Sequence, residues 1–215
     1  GTALSRIMNA PRPAGNKVEL YGVDVPAIRR IIDSIPHDGY IAPHFVQALL
    51  HAAGISVVDE FVSGNKEEVL AFARRTSFPV VAKVVGPVHK SDVGGVTLNI
   101  KGEQHLALEF ERMMRLPDAT AVMVQPMLKG TELLIGAKYE EKFGHVVLCG
   151  LGGIFVEVLK DVSSGLAPLS YEEAYSMIHS LRAYKIIQGT RGQKGVNEDK
   201  FAEIIVRLST LLRFA

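Results

Sequence analysis

The sequence lacks the features that mark several common classes of protein. It has a single cysteine, Cys149, so no internal disulfide can form, and the apolar run around it favours a buried, unreactive thiol in a reducing cytosol. A formal net charge of +1 provides no strong field for nucleic acid or an anionic membrane. The most apolar stretch, residues 146–156, is broken by glycines and is far shorter than the roughly 20 residues of a spanning helix. We therefore expect a cytoplasmic protein without nucleic-acid or membrane partners.

What is present is the composition of an ordinary soluble protein. The chain has 215 residues, of which 47% are hydrophobic and 22% charged, enough for one large domain or for two small lobes with cores of their own. It contains no internal repeat, no low-complexity block, and neither the P-loop nor the dinucleotide-binding glycine pattern. The function must therefore be inferred from shorter motifs.

Helical and strand-like segments alternate along the chain. Asp24 is placed to cap a first helix that carries Ile28 on its apolar face. Four strand-like pieces follow one another in the second half, with the sequences TELLIGAKYE, HVVLCGLGG, IFVEVL and SGLAPLS. Several strand pairs lack a helix between them, which favours mixed or antiparallel sheets and a fold of two α+β lobes over a doubly wound sheet.

The loop GPVHKSDVGGV, residues 86–96, is longer and more polar than a turn between two strands requires. Lys83 lies in the apolar strand before it, where a lysine either faces solvent or meets an anionic partner. Gly94 and Gly95 permit a close backbone approach to an anion, although most such pairs are simple turns. A lone loop histidine is usually a solvated side chain, but the imidazole of His89 is also a good nucleophile toward phosphorus. The loop therefore predicts a phosphate site that competes with a plain surface turn.

A second candidate site follows the strand VMVQP. Pro126 lacks an N–H group and must interrupt the ladder of that strand, which leaves backbone groups near Gln125 to bind an adenine edge or to end an edge strand. Glu132, in GTELLIG, either accepts hydrogen bonds from ribose hydroxyls or faces solvent.

Three further polar residues are candidates for a phosphate or metal site. Glu157 is an acid in an apolar segment, which favours a magnesium or phosphate role over a core role. Asp161 lies in the turn that follows, and Arg191 in GTRG is either a phosphate ligand or a surface arginine.

Five motifs in order resemble one family: VVAKVVGPVHKSDVGGVTLNI, VMVQPMLKGTELLIGAK, GLGGIFVEVLKDV, LAPLS and GTRG. Together they are similar to the ATP-grasp, beta-type part of the NDP-forming acyl-CoA synthetases, among which ADP-forming acetate–CoA ligase is the best known. The resemblance implies an α+β ATP-grasp fold whose two lobes clasp a nucleotide cleft. It also implies a reversible reaction in which acyl-CoA, ADP and phosphate give free acid, CoA and ATP through phosphohistidine.

The resemblance implies a role for each candidate. His89 would relay the phosphoryl group to ADP, and Glu157 and Asp161 would contribute to a Mg²⁺ site whose main ligands lie beyond residue 215. The ATP or ADP would be bound by Lys83, Gly94, Gly95, Val96, Gln125, Pro126, Met127, Glu132 and Arg191.

The resemblance also implies a division of the chain and the partners it needs. Residues 1–38 would be a linker and leading helix, and residues 39–215 an ATP-grasp domain with lobes 39–119 and 120–215. The chain begins without methionine, ends on an apolar helical pattern and lacks the family's Asn-Pro segment, so we expect a piece of a longer polypeptide, inactive alone. CoA-binding and ligase (alpha-type) domains would be its partners, and exposed apolar surface at its end would favour a homo-oligomer.

The chain departs from the family at one motif and leaves alternatives open. It reads DVSSGLAPL where members read DVSFRLAPL, so Ser164 and Gly165 replace an aromatic residue and an arginine. One alternative is a non-catalytic, synthetase-like regulatory region of a protein acetyltransferase. Another is a succinyl-CoA synthetase beta subunit, which the HKSDVGGV loop makes less favoured.

Overall fold

The computed structural model describes residues 22–36, 41–86, 94–189, 192 and 194–214. In chain order, the elements are α1 (Val25–Ser34), α2 (Pro43–Ala52), β1 (Phe61–Ser63), α3 (Lys66–Thr76), β2 (Val80–Val85), β3 (Val96–Ile100), α4 (Glu103–Met113), β4 (Ala121–Pro126), β5 (Leu133–Glu140), β6 (Gly144–Leu151), α5 (Ile154–Leu159), β7 (Val162–Leu166), α6 (Tyr171–His179), α7 (Tyr184–Gln188) and α8 (Glu198–Leu211).

One compact unit, which we call the first unit, comprises Val58–Gly130. Its four-stranded sheet has the order β1-β4-β2-β3, and all of its pairings are antiparallel. Helices α3 and α4 pack on one face of this sheet, because each presents a stripe of apolar side chains such as Phe72 and Leu106. Strand β2 alternates strictly between buried and half-buried positions, so its two faces have different environments.

The second unit comprises the residues before Val58 together with those after Gly130. Its three-stranded antiparallel sheet has the order β5-β6-β7. Strand β6 packs against α6 and α8, and Cys149 lies fully buried in that core. Burial raises the pKa of the Cys149 thiol to about 12, consistent with the unreactive thiol that the sequence predicts.

The N-terminal helices α1 and α2 belong to this second unit. The Asp24 amide donates to the Ala52 carbonyl over 2.8 Å, which pairs the start of one helix with the end of the other. Arg207 of α8 donates to the Ala53 carbonyl over 3.1 Å, so the guanidinium attaches the helix pair to the C-terminal helix. Helix α1, the leading helix of the sequence-based division, is therefore attached to other helices of this unit.

Helix boundaries follow the capping residues in the sequence. Asp24 accepts a hydrogen bond from the Ala27 amide, as its position before α1 predicts. Asn65 caps α3 in the same way, and Ser170 and Glu173 form a reciprocal capping box at α6. These contacts satisfy backbone donors that have no partner within the helix.

Two sequence-based assignments differ from the structure. Strand β4, placed by the sequence in the second lobe, pairs with β1 and β2 in the sheet of the first unit. The segment IFVEVL, expected to be a strand, forms the short helix α5. Short apolar runs do not distinguish strand from helix, and β6 already has β5 and β7 as its two neighbours.

The α+β class with antiparallel sheets is confirmed. Within the described residues, no helix is long and apolar enough to cross a membrane.

Candidate functional site

The second face of the first unit's sheet carries Lys83. Its neighbours in β2, Ala82 and Val84, are fully buried against the helices, and the alternation of a strand therefore turns Lys83 to the opposite face. The side chain is half-buried there. A lysine in this setting requires a polar partner, which the neighbouring strand supplies.

A chain of two hydrogen bonds links Lys83 of β2 to Gln125 of β4 and then to Glu60, the residue just before β1. The Lys83 ammonium donates to Gln125 Oε1 over 2.9 Å, and Gln125 Nε2 donates to Glu60 Oε2 over 2.8 Å. The pairing of Phe61 with Val124 places Glu60, just before β1, beside Gln125 of β4. Sequence reasoning assigned only the backbone of Gln125 and missed Glu60, since no local pattern connects residues this far apart.

The glycine pair of the polar loop lies next to Lys83. Val96 is the register partner of Lys83, and the Val84 amide donates to the Gly95 carbonyl over 2.7 Å. Gly94 has a φ of +67°, a conformation that side chains disfavour and glycine adopts freely. The C-terminal end of the loop is thus fixed beside the lysine, while His89 lies outside the described residues.

A polar cluster on α4 supports this end of the loop and was not anticipated. Arg112 donates to Glu109 over 2.8 Å, and Thr97 donates to the same carboxylate over 2.6 Å. A Cβ on Gly94 would lie 3.6 Å from a terminal nitrogen of Arg112, so the guanidinium borders the glycine. The hydrogen bonds from Arg112 and Thr97 hold the pKa of Glu109 below its usual value despite partial burial.

The end of β4 contains the residues that the resemblance assigns to an adenine hinge, and that assignment stays a prediction. The ladder does not break at Pro126, which is the last residue of β4 and pairs with Val80, and the Met127 amide then donates to the Pro79 carbonyl over 3.0 Å. That N–H group is therefore engaged within the protein and is not available to an adenine edge.

Glu132, a candidate ribose contact, lies in the second unit just before β5. Its carbonyl accepts a hydrogen bond from the Gly152 amide over 2.7 Å, and its side chain is exposed. A Cβ on Gly152 would lie 3.1 Å from the Glu132 Cβ, so the glycine allows the two chain segments to approach closely. Glu157 lies on α5, and only its backbone is described.

Asp161 has a structural role in the second unit. Its side chain is 11% exposed, and its carboxylate accepts the Ala183 amide over 2.7 Å and the Arg182 amide over 3.1 Å at the start of α7. Burial acts to raise the pKa of this carboxyl, but the hydrogen bonds from Ala183 and Arg182 outweigh it and the pKa lies below its usual value. These contacts account for the residue, and a metal role for it stays a prediction.

We expect Asp161→Ala to lower the free energy of unfolding by about 2 kcal/mol at pH 7, the scale of two backbone hydrogen bonds to a charged acceptor. Because the folded-state pKa is depressed, this contribution is present above about pH 4 and is lost as the pH falls through the folded-state pKa. Urea denaturation of both proteins at pH 7 and pH 3 measures the difference. The exposed Glu141→Gln is the control, and a difference that persists undiminished at pH 3 would contradict the assignment.

Within the described ranges, no three histidine, cysteine, aspartate or glutamate side chains converge on a potential metal site. Arg191 lies outside the described residues, as does His89.

Comparison with known proteins identifies the class. The model of the ATP-grasp domain matches residues 37–214, which is most of the chain, and the chain therefore belongs to the ATP-grasp family. It is 42% identical over 173 residues to the beta subunit of ADP-forming acetate–CoA ligase I from Pyrococcus furiosus, covering 76% of this chain and 75% of that subunit. The family predicted from the five motifs is confirmed.

Two other relatives define how far the similarity extends. ADP-forming acetate–CoA ligase II from Archaeoglobus fulgidus is 44% identical over 71% of this chain, but the chain spans only 23% of that ligase. Acetyl-coenzyme A synthetase 1 from Ca. Korarchaeum cryptofilum was solved with coenzyme A and Mg-AMPPCP, its phosphohistidine segment pointing towards the nucleotide-binding site. It matches with a TM-score of 0.69 and 36% identity, covering 79% of this chain and 77% of that one. These relatives are CoA ligases and give no support to an acetyltransferase regulator.

Proposed function

We propose that the chain is the nucleotide-binding and phosphoryl-relaying part of an ADP-forming acyl-CoA synthetase. The observation that carries the proposal is the position of Lys83, held half-buried beside the glycine pair that ends the HKSDVGG loop. This arrangement brings an ammonium and a flexible backbone to the base of the segment that contains a nucleophilic imidazole.

In the proposed reaction, a ring nitrogen of His89 attacks the phosphorus of a phosphoryl group carried by a histidine of the partner ligase part. A P–N bond forms while the bond to the donor breaks. A β-phosphate oxygen of ADP then attacks the same phosphorus, the P–N bond breaks, and ATP leaves with the imidazole regenerated. A covalent carrier keeps the group in line with its acceptor and away from water.

The remaining roles follow the family. Lys83 and the backbone at Gly94, Gly95 and Val96 would contact the nucleotide phosphates, with Arg191 as a further cation. Carbonyl groups at Gln125 to Met127 would meet the adenine, and Glu132 the ribose. Magnesium would neutralise nucleotide phosphate charge with help from Glu157. Within the described part of the chain, no three histidine, cysteine, aspartate or glutamate side chains converge to hold this ion.

The partners would be the CoA-binding and ligase domains, on the same polypeptide or another. The chain covers 23% of the Archaeoglobus ligase and 75% of a beta subunit, which supports a division of labour in which acid and CoA bind elsewhere.

Lys83→Ala should weaken ADP binding about tenfold or more, because the phosphates lose a charge-assisted partner. Titration of the 215-residue chain with ADP, followed by NMR so that millimolar affinities are measurable, tests this. Lys101→Ala removes an exposed lysine from the same unit and should leave the affinity unchanged. Equal affinities for wild type and Lys83→Ala, or no binding by the wild type, would refute the nucleotide assignment.

A further inference from the structure

Gln125 separates two side chains of opposite charge. On one side lies the Lys83 ammonium at 2.9 Å, and on the other the Glu60 carboxylate at 2.8 Å. All three groups belong to the first unit, and the Lys83 and Gln125 side chains are half-buried, where hydrogen bonds are better shielded from solvent than at the surface.

The chemistry of the three groups permits one orientation of the amide. An ammonium only donates, and a carboxylate only accepts. Gln125 must therefore direct its oxygen to Lys83 and its NH₂ group to Glu60, which is the arrangement observed. A rotation of the amide by 180° would place two donors face to face and two acceptors face to face. Lys83 and Glu60 thus favour the same orientation, and Glu60 anchors the NH₂ end of the amide whose oxygen Lys83 meets.

We infer that Glu60 is a positioning residue that acts through Gln125 to aim the Lys83 ammonium at the nucleotide phosphates. The ammonium has three N–H donors, so one can remain on Gln125 Oε1 while the others face phosphate oxygens. Without Glu60, the NH₂ end of the amide loses its anchor, so the Gln125 oxygen is held only by Lys83 and the position of the ammonium is less well defined. This inference rests on the proposed function for its phosphate target, but the Glu60–Gln125–Lys83 coupling itself exists without any ligand.

The coupling is tested first in the ligand-free chain. Brief treatment with acetic anhydride, followed by peptide mass spectrometry, gives the acetylation rate of Lys83 relative to Lys101 in the same molecule. Glu60→Ala should raise the relative rate of Lys83 roughly threefold or more, because the ammonium loses an ordered hydrogen bond. Asp59→Ala removes the exposed neighbouring carboxylate and should not change it. An unchanged Lys83 rate in Glu60→Ala would overturn the coupling, whatever the protein binds.

The phosphate target is tested by a pair of ligands. Glu60→Ala should weaken ADP binding roughly fivefold, the scale of one hydrogen bond, and leave adenosine binding unchanged because adenosine has no phosphate. Glu60→Gln retains an acceptor for Gln125 and should restore ADP affinity to within about twofold. In a Lys83→Ala background, the Glu60→Ala change should have no further effect on ADP binding.

The outcomes separate the two claims. If Lys83→Ala does not affect ADP binding, the proposed nucleotide role fails, while the acetylation result still decides the coupling. If Glu60→Ala weakens adenosine as much as ADP, or weakens ADP equally with and without Lys83, Glu60 is a general structural residue and the inference is wrong. A Glu60→Gln protein as impaired as Glu60→Ala would likewise refute positioning through the hydrogen bond.

Discussion

His89→Ala should reduce ATP formation from acyl-CoA, ADP and phosphate by roughly a thousandfold or more in a ligase that contains this chain. The reason is that the proposed route passes through a covalent bond to this imidazole, and alanine offers no nucleophile. Steady-state turnover gives the size of the loss. Incubation with γ-labelled ATP and detection of acid-labile, base-stable label on peptides of the chain shows whether the phosphohistidine itself has disappeared.

The control is a histidine of the same unit without a proposed role. His105 is exposed on α4, and His105→Ala should retain turnover and labelling. If His89→Ala turns over like the wild type, the relay assignment is refuted, since a phosphoryl group would then reach ADP by another path.

Gly86→Ala should lower the free energy of unfolding of the first unit by about 3 kcal/mol or more. Gly86 has a φ of +125°, which alanine adopts only with strain. A Cβ at this position would overlap the Asp118 carbonyl oxygen and lie 2.9 Å from its carbon. That carbonyl belongs to the backbone and cannot rotate away as a side chain could. The Thr120 amide donates a hydrogen bond to the Val85 carbonyl over 2.8 Å, which holds the Asp118–Thr120 segment in place.

A glycine series in the same unit provides the comparison. Gly94→Ala meets only the Arg112 guanidinium at 3.6 Å but keeps a φ of +67°, so we expect a loss of about 1 kcal/mol. Gly102→Ala has extended backbone and no neighbour within 4 Å, but Gly102 is the N-cap of α4, where alanine is disfavoured, so we expect a loss of about 1 kcal/mol or less. Hydrogen exchange of β2 and β4 amides reports the unit's stability separately, and a Gly86 variant as stable as the Gly102 variant would contradict the structural argument.

Gly86 and Gly94 flank the segment that contains His89, and this gives the stability series a functional meaning. Both ends of the segment leave a two-stranded pairing, β2 with β3, whose backbone geometry only glycine accepts without strain at these two points. These two glycines therefore mark where the segment proposed to carry the relay leaves the sheet.

Local patterns in the sequence predicted the elements well where one residue type dictates the geometry. Asp24 caps α1, and Ile28 on the apolar face of that helix is buried. Such signals act within one turn or one strand, so they can be recognised without knowing which other element the segment packs against. The IFVEVL segment was misassigned because its apolar residues fit both a strand and a helix, and the local pattern does not distinguish between the two.

Among the candidate site residues too, some are recognisable from local sequence and others are not. Lys83 and the Gly94–Gly95 pair are recognisable from sequence, because a lysine in an apolar strand and two adjacent glycines are locally unusual. Asp161 follows Glu157 closely enough in the sequence to be predicted as a metal ligand. In the structure its carboxylate accepts hydrogen bonds from the amides of Ala183 and Arg182. Sequence spacing does not show which backbone donors a carboxylate will meet.

By itself, the sequence determined the family, because the family is encoded in the order of five motifs, and it named Lys83 and the loop after it as candidates for a phosphate site. Only the tertiary structure decided that Glu60 meets Gln125, that the Met127 amide is engaged, and that α1 packs against α2 and is attached to α8. The physical reason is that strand pairing and helix packing join residues far apart in the chain. Their hydrogen bonds depend on register and distance, which no local periodicity specifies.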